Sequence, residues 1–344
     1  MHASVVIVGA GPAGMAAAHC LAGHNCDVVV IERLGDGHYD RYHRICGACA
    51  SAQAFDHLPL RNDEILNHIT TLRIDWPDGS VAALPVKGYI IDRPRLLHRL
   101  REEAERTGVT FIKDSVVQIS EQLEGYSLLL ASGRLFSATY VIGADGAFSV
   151  VRKCLFGSRP AHCQAVAMRI EDVAVPSDVI AFRVGMDYGD MYSWSFPYGT
   201  KSTHGAPQDH FDQDLAEVRF LPTGSVPLVV KGRALLVGDA AGMANALSYG
   251  GLRCAFLAAR KAAEAVLAND PDEYDRWWRH NIRSDKRFLM EHDRLVALSA
   301  DDYTALVAPL HYRTVRGNAI HALGRQPGKA TFYFGFLLAL KYGW

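Results

Sequence analysis

The stretch SVVIVGAGPAGMAAAHCLA, residues 4–22, decides the fold of this chain. A short run of β-branched residues leads into a glycine-rich turn and then into an alanine-rich segment, which predicts a strand, a tight turn and a helix. DVVVIER (27–33) follows as a second buried strand that ends near Glu32. The order strand, turn, helix, strand predicts a β-α-β unit and a parallel sheet at the start of the chain.

The turn has the spacing Gly-x-Gly-x-x-Gly, in Gly9, Gly11 and Gly14, with Ala13 inside it. Gly9 permits the tight turn, Gly11 lets the backbone approach a pyrophosphate, and Gly14 allows close packing of helix on strand. The helix N-terminus offers N–H groups and the positive end of its dipole to phosphates. Glu32 is placed to accept hydrogen bonds from ribose hydroxyls, which favours NAD or FAD over NADP.

Two later strands end in a turn that contains glycine and aspartate. YVIGADG (140–146) ends in Asp145 and Gly146, and ALLVGDAAG (234–242) contains Asp239 and ends in Gly242. Asp239 is a candidate to bond the polyhydroxyl chain that links a flavin to its diphosphate. Either turn alone is an ordinary junction of strand and loop, but after the first motif, in this order, the three form a specific set.

With these motifs the chain resembles the flavoprotein superfamily of aromatic hydroxylases, flavin halogenases and geranylgeranyl reductases, over roughly residues 1–268. The resemblance implies FAD as the cofactor. It also implies that Arg93, in an Arg-x-x-Leu-x-x-x-Leu element, lies near the diphosphate and that the backbone of Val117 contacts the adenine. The other cofactor-binding positions that it implies are Arg33, Cys46, Gly47, Cys49, Gly250, Gly251 and Leu252.

A closer resemblance is to the geranylgeranyl reductase family. MYSWSFPYG (191–199) is similar to its Tyr-x-Trp-x-Phe-Pro-x-Gly signature, which lines the lipid site, and RICGACAS (44–51) is similar to its Cys-Gly stretch beside the flavin. The resemblance implies a substrate-binding set of Tyr192, Trp194, Phe196 and Pro197, and a catalytic set of Cys46, Cys49, Tyr192 and Trp194. Alternating aromatic residues on one face of a strand also form ordinary core, and this alternative stays open.

The chain departs from that family on the substrate side. Pro207 stands where the second glycine of a Gly-x-Gly would follow the signature, although Gly205 is present. Ala246 and Gly251 replace the family's proline and glutamate after GDAAG, and the segment between Gly205 and Gly238 is short. These departures predict a shortened substrate region. They also leave open a native substrate other than a geranylgeranyl group.

The pair Cys46 and Cys49 has four interpretations. A zinc half-site needs a second pair of ligands, and Cys154 and Cys163 do not have that spacing. A Cys-x-x-Cys can also act as a redox dithiol. The preferred interpretation is that residues 46–49 pack their backbone against the isoalloxazine with one thiol facing the substrate; a buried, inert thiol is the alternative.

Composition sets outer limits on function. The 344 residues carry a formal net charge of −1, without the basic surplus typical of nucleic-acid binders. No apolar segment reaches the roughly 18 residues that span a membrane. Seven cysteines and no export signal predict a cytoplasmic protein without a disulfide framework. The fifteen histidines are dispersed, so no metal site is predicted.

The domain prediction is an α/β fold, α+β overall. A Rossmann-like FAD-binding domain is expected from residues 1–57, 88–155 and 229–268. An antiparallel-sheet substrate domain is expected from residues 58–87 and 156–228, and a helical region from 269–344. Residues 93–108 predict an amphipathic helix and residues 34–56 an irregular segment. The final FYFGFLLAL predicts a packed helix, with a shallow interfacial membrane anchor as the alternative.

The function that the resemblance implies is reduction of carbon–carbon double bonds in an isoprenoid chain by FAD. Two other classes stay open: a monooxygenase or halogenase acting on a small hydrophobic or aromatic substrate, and a flavin electron-transfer protein. The sequence has no second dinucleotide fingerprint. The electron donor is therefore left open between a nicotinamide and a ferredoxin-like protein, and peripheral membrane contact remains an option.

Overall fold

Two eight-stranded sheets organise the chain in the computed structural model, which describes residues 2–188, 192–211, 216–307, 317, 323–325 and 327–344. The first sheet has the order β15-β16-β9-β1-β2-β6, and β8 joins β7 to β9. Its strands are β1 (His2–Val8), β2 (Val28–Glu32), β6 (Thr110–Lys113), β7 (Val116–Gln122), β8 (Gly125–Leu130), β9 (Leu135–Gly143), β15 (Val230–Lys231) and β16 (Ala234–Leu236).

The middle of the first sheet is parallel, as the sequence predicts. Strand β1 lies between β2 and β9, and β16 follows on the far side of β9, all in parallel register. The carboxyl ends of parallel strands meet at one edge of a sheet, which is where ligands bind in open α/β sheets. Because the turns after β1, β9 and β16 carry the three glycine-containing motifs, the fold brings the three motifs to one edge.

The second sheet has the order β14-β10-β13-β12-β11-β4-β5-β3. Its strands are β3 (Cys49–Ser51), β4 (Ile65–Asp75), β5 (Val81–Ile91), β10 (His162–Glu171), β11 (Val179–Val184), β12 (Tyr192–Tyr198), β13 (Lys201–Pro207) and β14 (Glu217–Thr223). The sheet is not wholly antiparallel, since β11 pairs with β4 in parallel.

Two strands cross the predicted domain boundaries, which themselves stay a prediction. β3 comes from the segment 1–57 but pairs with β5 of the second sheet. β5 runs to Ile91, past the predicted boundary at residue 88. Both crossings have one cause: the sheet that a strand joins depends on the partner that its edge meets, and that partner is distant in sequence.

Helices pack on the first sheet and fill the C-terminal part. They are α1 (Pro12–Leu21), α2 (Asp36–Arg44), α3 (Arg93–Arg106), α4 (Leu252–Leu267), α5 (Pro271–Arg279), α6 (Lys286–Val296), α7 (Ala300–Val307) and α8 (Ala330–Tyr342). The predicted helix at 93–108 is confirmed as α3: the Asp92 side chain accepts from Arg95 N at its start, and Gly108 follows its end with φ +99°.

Helix α2 contradicts the prediction of an irregular segment at residues 34–56. Its sequence DGHYDRYHR buries only Tyr39 and His43, so it lacks an apolar period that the sequence could reveal. The Tyr39 hydroxyl donates to Ala10 O (2.5 Å), which fastens the helix to the first motif. Tertiary contact therefore stabilises a helix that local propensity does not predict.

Helix α8 confirms the predicted packed helix at the end of the chain. The residues after it dock on the second sheet and on the loop that follows the third motif. Ser51 Oγ donates to Trp344 O (2.8 Å), and Ser248 Oγ donates to Gly343 O (2.6 Å). No helix in the described ranges is both long enough and apolar enough to cross a membrane.

Gly14→Ala tests the close packing of α1 on β1. A Cβ at Gly14 would lie 1.9 Å from Gly9 O, and neither backbone segment has room to move. We expect the free energy of unfolding to fall by about 3 kcal/mol, at the upper end for overpacking. Urea denaturation followed by circular dichroism measures it. Gly37→Ala in α2 is the control: nothing lies within 4 Å of its Cβ position, so this variant should be neutral or slightly stabilised.

Candidate functional site

One cavity of about 870 Å³ joins the edge of the first sheet to the aromatic face of the second. Most of the sequence-predicted site residues line it. They are Gly9, Gly11, Ala13, Glu32, Arg33, Cys46, Gly47, Cys49, Arg93, Asp145, Gly146, Tyr192, Trp194, Phe196, Asp239, Gly250, Gly251 and Leu252. Met191, the first residue of the aromatic signature, lies outside the described residues.

Four predicted site residues lie away from the cavity lining. Gly14 packs against Gly9, in the helix–strand role predicted for it, and Gly242 forms a left-handed turn with φ +67°. Pro197 pairs with β13 behind the aromatic face. Val117 is 51% exposed, while residues 114–116 line the cavity in its place. Alternation along β7 turns its side chain outward, and the contact predicted between its backbone and the adenine stays a prediction.

The first motif forms a turn that only glycine permits. Gly9 has φ +96°, and a Cβ there would lie 2.5 Å from Ala144 O of the second motif. Gly11 is the N-cap of α1, and its position has no side-chain cap. The first N–H groups of α1 therefore face the cavity as an anion site, which fits the diphosphate of a dinucleotide.

Glu32 is held by backbone donors at the end of β2. Its two carboxylate oxygens accept from Ala10 N and Leu34 N, each at 2.7 Å. These bonds fix the carboxylate at the cavity wall and leave further lone pairs on both oxygens. The predicted bond to ribose hydroxyls is compatible with this arrangement and remains a prediction.

Arg152 ties the second motif to the third, a role that the sequence did not reveal. Its guanidinium is buried and donates to Ala147 O (2.6 Å) and Ala240 O (2.7 Å). One oxygen of Asp145 accepts from Val150 N (2.6 Å), while the other is buried without a partner. The sequence does show an arginine soon after the GADG turn that ends a strand. An arginine at such a position is by default interpreted as a surface residue, so its buried role was not predicted.

Asp239 is the carboxylate best placed to receive a polyhydroxyl chain. It lines the cavity, and its side chain has no hydrogen-bond partner within the described part of the chain. Burial raises the pKa of Asp239 to about 6, and the positive charge of Arg93 opposes that rise. A carboxylate in this state gains from hydroxyl donors of a ligand, because burial without partners is costly. Arg93 is itself oriented by donating Nε to His43 O (2.7 Å).

The cysteine segment packs directly on the aromatic strand β12. A Cβ at Gly47 would lie 2.9 Å from Phe196 Cε2 and 3.5 Å from Trp194 Nε1, so only glycine allows this approach. Across the sheet, Gly205 pairs with Trp194, and a Cβ there would lie 2.1 Å from the indole ring. The two glycines therefore make the space that the aromatic rings occupy at the cavity wall.

Burial changes the chemistry of the thiol pair. It raises the pKa of Cys49 above its ordinary range, and the neighbouring Cys46 adds a smaller effect. Burial also raises the pKa of Tyr192, whose hydroxyl donates to Ser248 O (2.5 Å). The seven cysteines are free thiols in the structure. A thiol that stays protonated at neutral pH is a weak nucleophile, which argues against a redox dithiol at Cys49.

The far side of the cavity is apolar and comes from elements distant in sequence. Strands β4 and β11 and helices α6 to α8 all contribute. The side chains include Leu72, Ile74, Ile180, Phe182, Leu295, Phe332, Phe336, Leu340 and Trp344. This wall has the chemistry of a site for a hydrophobic ligand.

Comparison with known proteins supports this description. Residues 3–84 match the family described as pyridine nucleotide-disulphide oxidoreductase. Digeranylgeranylglycerophospholipid reductase 2 of Methanopyrus kandleri is 24% identical over 93% of this chain and 94% of its own length. Digeranylgeranylglycerophospholipid reductase 1 of the same organism is 28% identical over 79% of this chain and 83% of its own length.

A solved structure shares the fold over nearly the whole chain. A geranylgeranyl bacteriochlorophyll reductase-like protein from Thermoplasma acidophilum superposes with a TM-score of 0.76, at 18% identity, over 98% of this chain and 99% of its own. The fold predicted from the three motifs is thereby confirmed.

Asp239→Asn separates the effect of this carboxylate on folding stability from its effect on FAD binding. The folded pKa near 6 exceeds the ordinary 3.8, so the stabilising proton is present below about pH 4 and lost as pH rises through 6. The free energy of unfolding of the flavin-free variant should equal that of the wild type near pH 4. At pH 7.5 it should exceed the wild-type value by about 2 kcal/mol. Its affinity for FAD should fall about tenfold, since a charge-assisted hydrogen bond is lost. Urea denaturation and flavin fluorescence titration measure the two effects.

Asp172→Asn is the matched control, because Asp172 is exposed and lies away from the cavity. It should change neither quantity. An Asp239→Asn protein with wild-type stability at pH 7.5 and full FAD affinity would contradict the role given to this carboxylate.

The geometry and the comparisons agree on the cofactor and the fold. A helix N-terminus, a cradle of glycines and an unpartnered carboxylate stand along one side of a single cavity. They fit the diphosphate and the polyhydroxyl chain of FAD. The chain is an FAD-dependent oxidoreductase that resembles the geranylgeranyl reductases in sequence and fold.

Proposed function

We propose that this protein reduces carbon–carbon double bonds in a hydrophobic, isoprenoid-type chain. The observation that carries the proposal is the continuity of the cavity, which passes from the dinucleotide motif to an apolar wall without a partition. Relatives named for reduction of geranylgeranyl groups match this chain over most of its length. They support isoprenoids as the substrate class.

The chemistry sets clear demands on the protein. An isolated alkene is weakly polarised, so its reduction depends on alignment and on a proton placed at one carbon. When bound and reduced, FAD would supply the two electrons in the form of a hydride to the other carbon. The protein's own tasks are to hold the chain, to exclude water and to deliver the proton.

The aromatic strand carries the first two tasks. Trp194 and Phe196 are buried at the wall and form a surface against which an isoprenoid chain can lie. Gly47 lets the cysteine segment reach these rings, so residues 46–49 stand between the strand and the expected position of the isoalloxazine. The roles of Cys46, Cys49 and Tyr192 in catalysis follow from this placement as proposals.

Oxygen chemistry is the alternative function, because p-nitrophenol 4-monooxygenase of Pseudomonas putida superposes on this chain with a TM-score of 0.69. That likeness, at 16% identity over 98% of this chain and 97% of its own, concerns the fold alone. An electron-transfer protein is a weaker alternative, since the apolar wall would then have no task.

The proposal also includes an electron donor for the flavin and contact with a membrane. A nicotinamide or a ferredoxin-like protein is the proposed reductant of the flavin. A lipid substrate implies transient contact of the cavity entrance with a membrane surface. The division into FAD-binding, substrate and helical regions stands as proposed, with β3 and the whole of β5 moved to the substrate region.

An anaerobic single turnover tests the function. The flavin is reduced with dithionite, geranylgeranyl diphosphate or a geranylgeranyl glycerolipid is added, and flavin absorbance is followed. We expect reoxidation without oxygen and a gain of two mass units for each reduced double bond. Reoxidation only after air is admitted, with oxygen consumption that depends on the substrate, would overturn the proposal in favour of a monooxygenase.

The Cys46→Ala/Cys49→Ala double variant tests the thiol segment. We expect FAD binding to persist, because the backbone supplies the contacts, and the rate of alkene reduction to fall at least tenfold. Cys154→Ala, an exposed cysteine outside the cavity, is the control. If the double variant keeps both its rate and its ratio of product to flavin oxidised, the cysteines have no catalytic part.

A further inference from the structure

Four side chains form a hydrogen-bonded chain from the cavity to the protein surface. Tyr249 Oη lies 3.1 Å from His292 Nε2. The other imidazole nitrogen of His292, Nδ1, lies 3.2 Å from Asp293 Oδ1. The same carboxylate oxygen lies 2.8 Å from His162 Nε2. Each link joins groups that can exchange a proton.

The two ends of this series of hydrogen bonds lie in different environments. Tyr249 lines the cavity and is 7% exposed, and His292 is 1% exposed. At the outer end, the side chains of His162 and Asp293 are 41% and 55% exposed. The hydrogen-bonded chain therefore runs from buried groups at the cavity to exposed groups at the protein surface.

The backbone at Tyr249 is strained. Tyr249 has φ +52°, a left-handed conformation that glycine adopts more readily than a residue with a large side chain. Its N–H donates to Asn245 O (2.9 Å), and Asn245 Oδ1 accepts from Leu247 N and Ser248 N. The surrounding loop thus holds a tyrosine in a costly position, which is frequent at functional sites.

Tyr249 also lies beside the aromatic strand. Its ring packs edge-on against Tyr192, with 6.1 Å between the ring centres, and the adjacent Ser248 carbonyl accepts from the Tyr192 hydroxyl. The loop continues directly into Gly250 and Gly251, which line the cavity. The inner end of the chain is therefore close to the residues proposed to hold the alkene.

We propose that Tyr249, His292, Asp293 and His162 are the route by which a proton from water reaches the substrate. The proposal rests on the proposed alkene reduction. The π bond breaks as the hydride adds to one carbon, and the Tyr249 hydroxyl gives its proton to the other. His292 Nε2–H then reprotonates Tyr249, and Nδ1 recovers a proton from His162 through Asp293. One proton from water is consumed for each double bond, and no electrons pass through these four residues.

A rival use of the outer three residues is a metal site. Each of these residues offers one ligand atom, and the three ligand atoms, from His162, His292 and Asp293, lie within 4.8 Å of one another. Two imidazoles with a carboxylate suit Zn²⁺. In the structure the same atoms are arranged as hydrogen-bond partners, and the second nitrogen of His292 faces the hydroxyl of Tyr249. We therefore favour the proton route and treat metal binding as an outcome of the test.

The test uses Tyr249→Phe and His292→Gln in the anaerobic turnover, in H₂O and D₂O. We expect each variant to reduce the lipid 10- to 100-fold more slowly, with a larger solvent isotope effect and unchanged FAD affinity. Tyr140→Phe is the control, since Tyr140 also loses a buried hydroxyl hydrogen bond, to Asn269, but lies outside the cavity lining. Its rate and isotope effect should equal those of the wild type.

A second readout does not depend on turnover. In flavin-free protein labelled with ¹⁵N-histidine, the His292 ring resonances should move in Tyr249→Phe and in Asp293→Asn, and stay in place in Tyr140→Phe. Wild-type rates and isotope effects in both Tyr249→Phe and His292→Gln would overturn the proton route. One equivalent of Zn²⁺ bound by the flavin-free protein, and lost in His162→Asn, would replace it with a metal site.

If the wild type reduces no lipid but the resonances move as expected, the proposed function fails and the hydrogen-bonded chain remains. If the wild type reduces lipid and Tyr249→Phe does so equally well, the function stands and the proton route is wrong. The two failures are thus distinguishable.

Discussion

The bonds of Arg152 are the contact on which the site depends. Its guanidinium is buried between the second and third motifs and donates to a carbonyl of each. Arg152 and Ala240 are 88 positions apart, so local propensity cannot align the two motifs. Buried carbonyls need donors, and a delocalised cation satisfies two of them with fixed geometry. The shape of the cavity between the motifs follows from this alignment.

A second constraint is steric and concerns glycine on the substrate side. Gly47 and Gly205 approach the aromatic residues of β12 from two directions, and a methyl group at either position would overlap a ring. The sequence departures from the geranylgeranyl reductases lie close to this region, at Pro207 and Ala246.

The sequence predicted what is local and missed what depends on distant contacts. The first motif, its strand and its helix are contiguous, so spacing alone places Gly9, Gly11 and Gly14 correctly. Helix α2 was missed because tertiary contacts from Tyr39 stabilise it. The pairing of Tyr249 with His292 spans 43 positions and two elements without a shared motif, so no pattern in the sequence indicates it.

The docking of residues 343 and 344 has a consequence for synthesis. Their carbonyls accept from Ser248 and Ser51, and the indole of Trp344 forms part of the cavity wall. The parallel sheet likewise needs β16, whose residues leave the ribosome long after those of β1. A nascent chain therefore exposes its apolar cavity wall until residues 343 and 344 have emerged and docked, and chaperones can bind that wall in the meantime. We therefore expect the cofactor to be captured after residues 343 and 344 have docked, rather than on folding of the first motif alone.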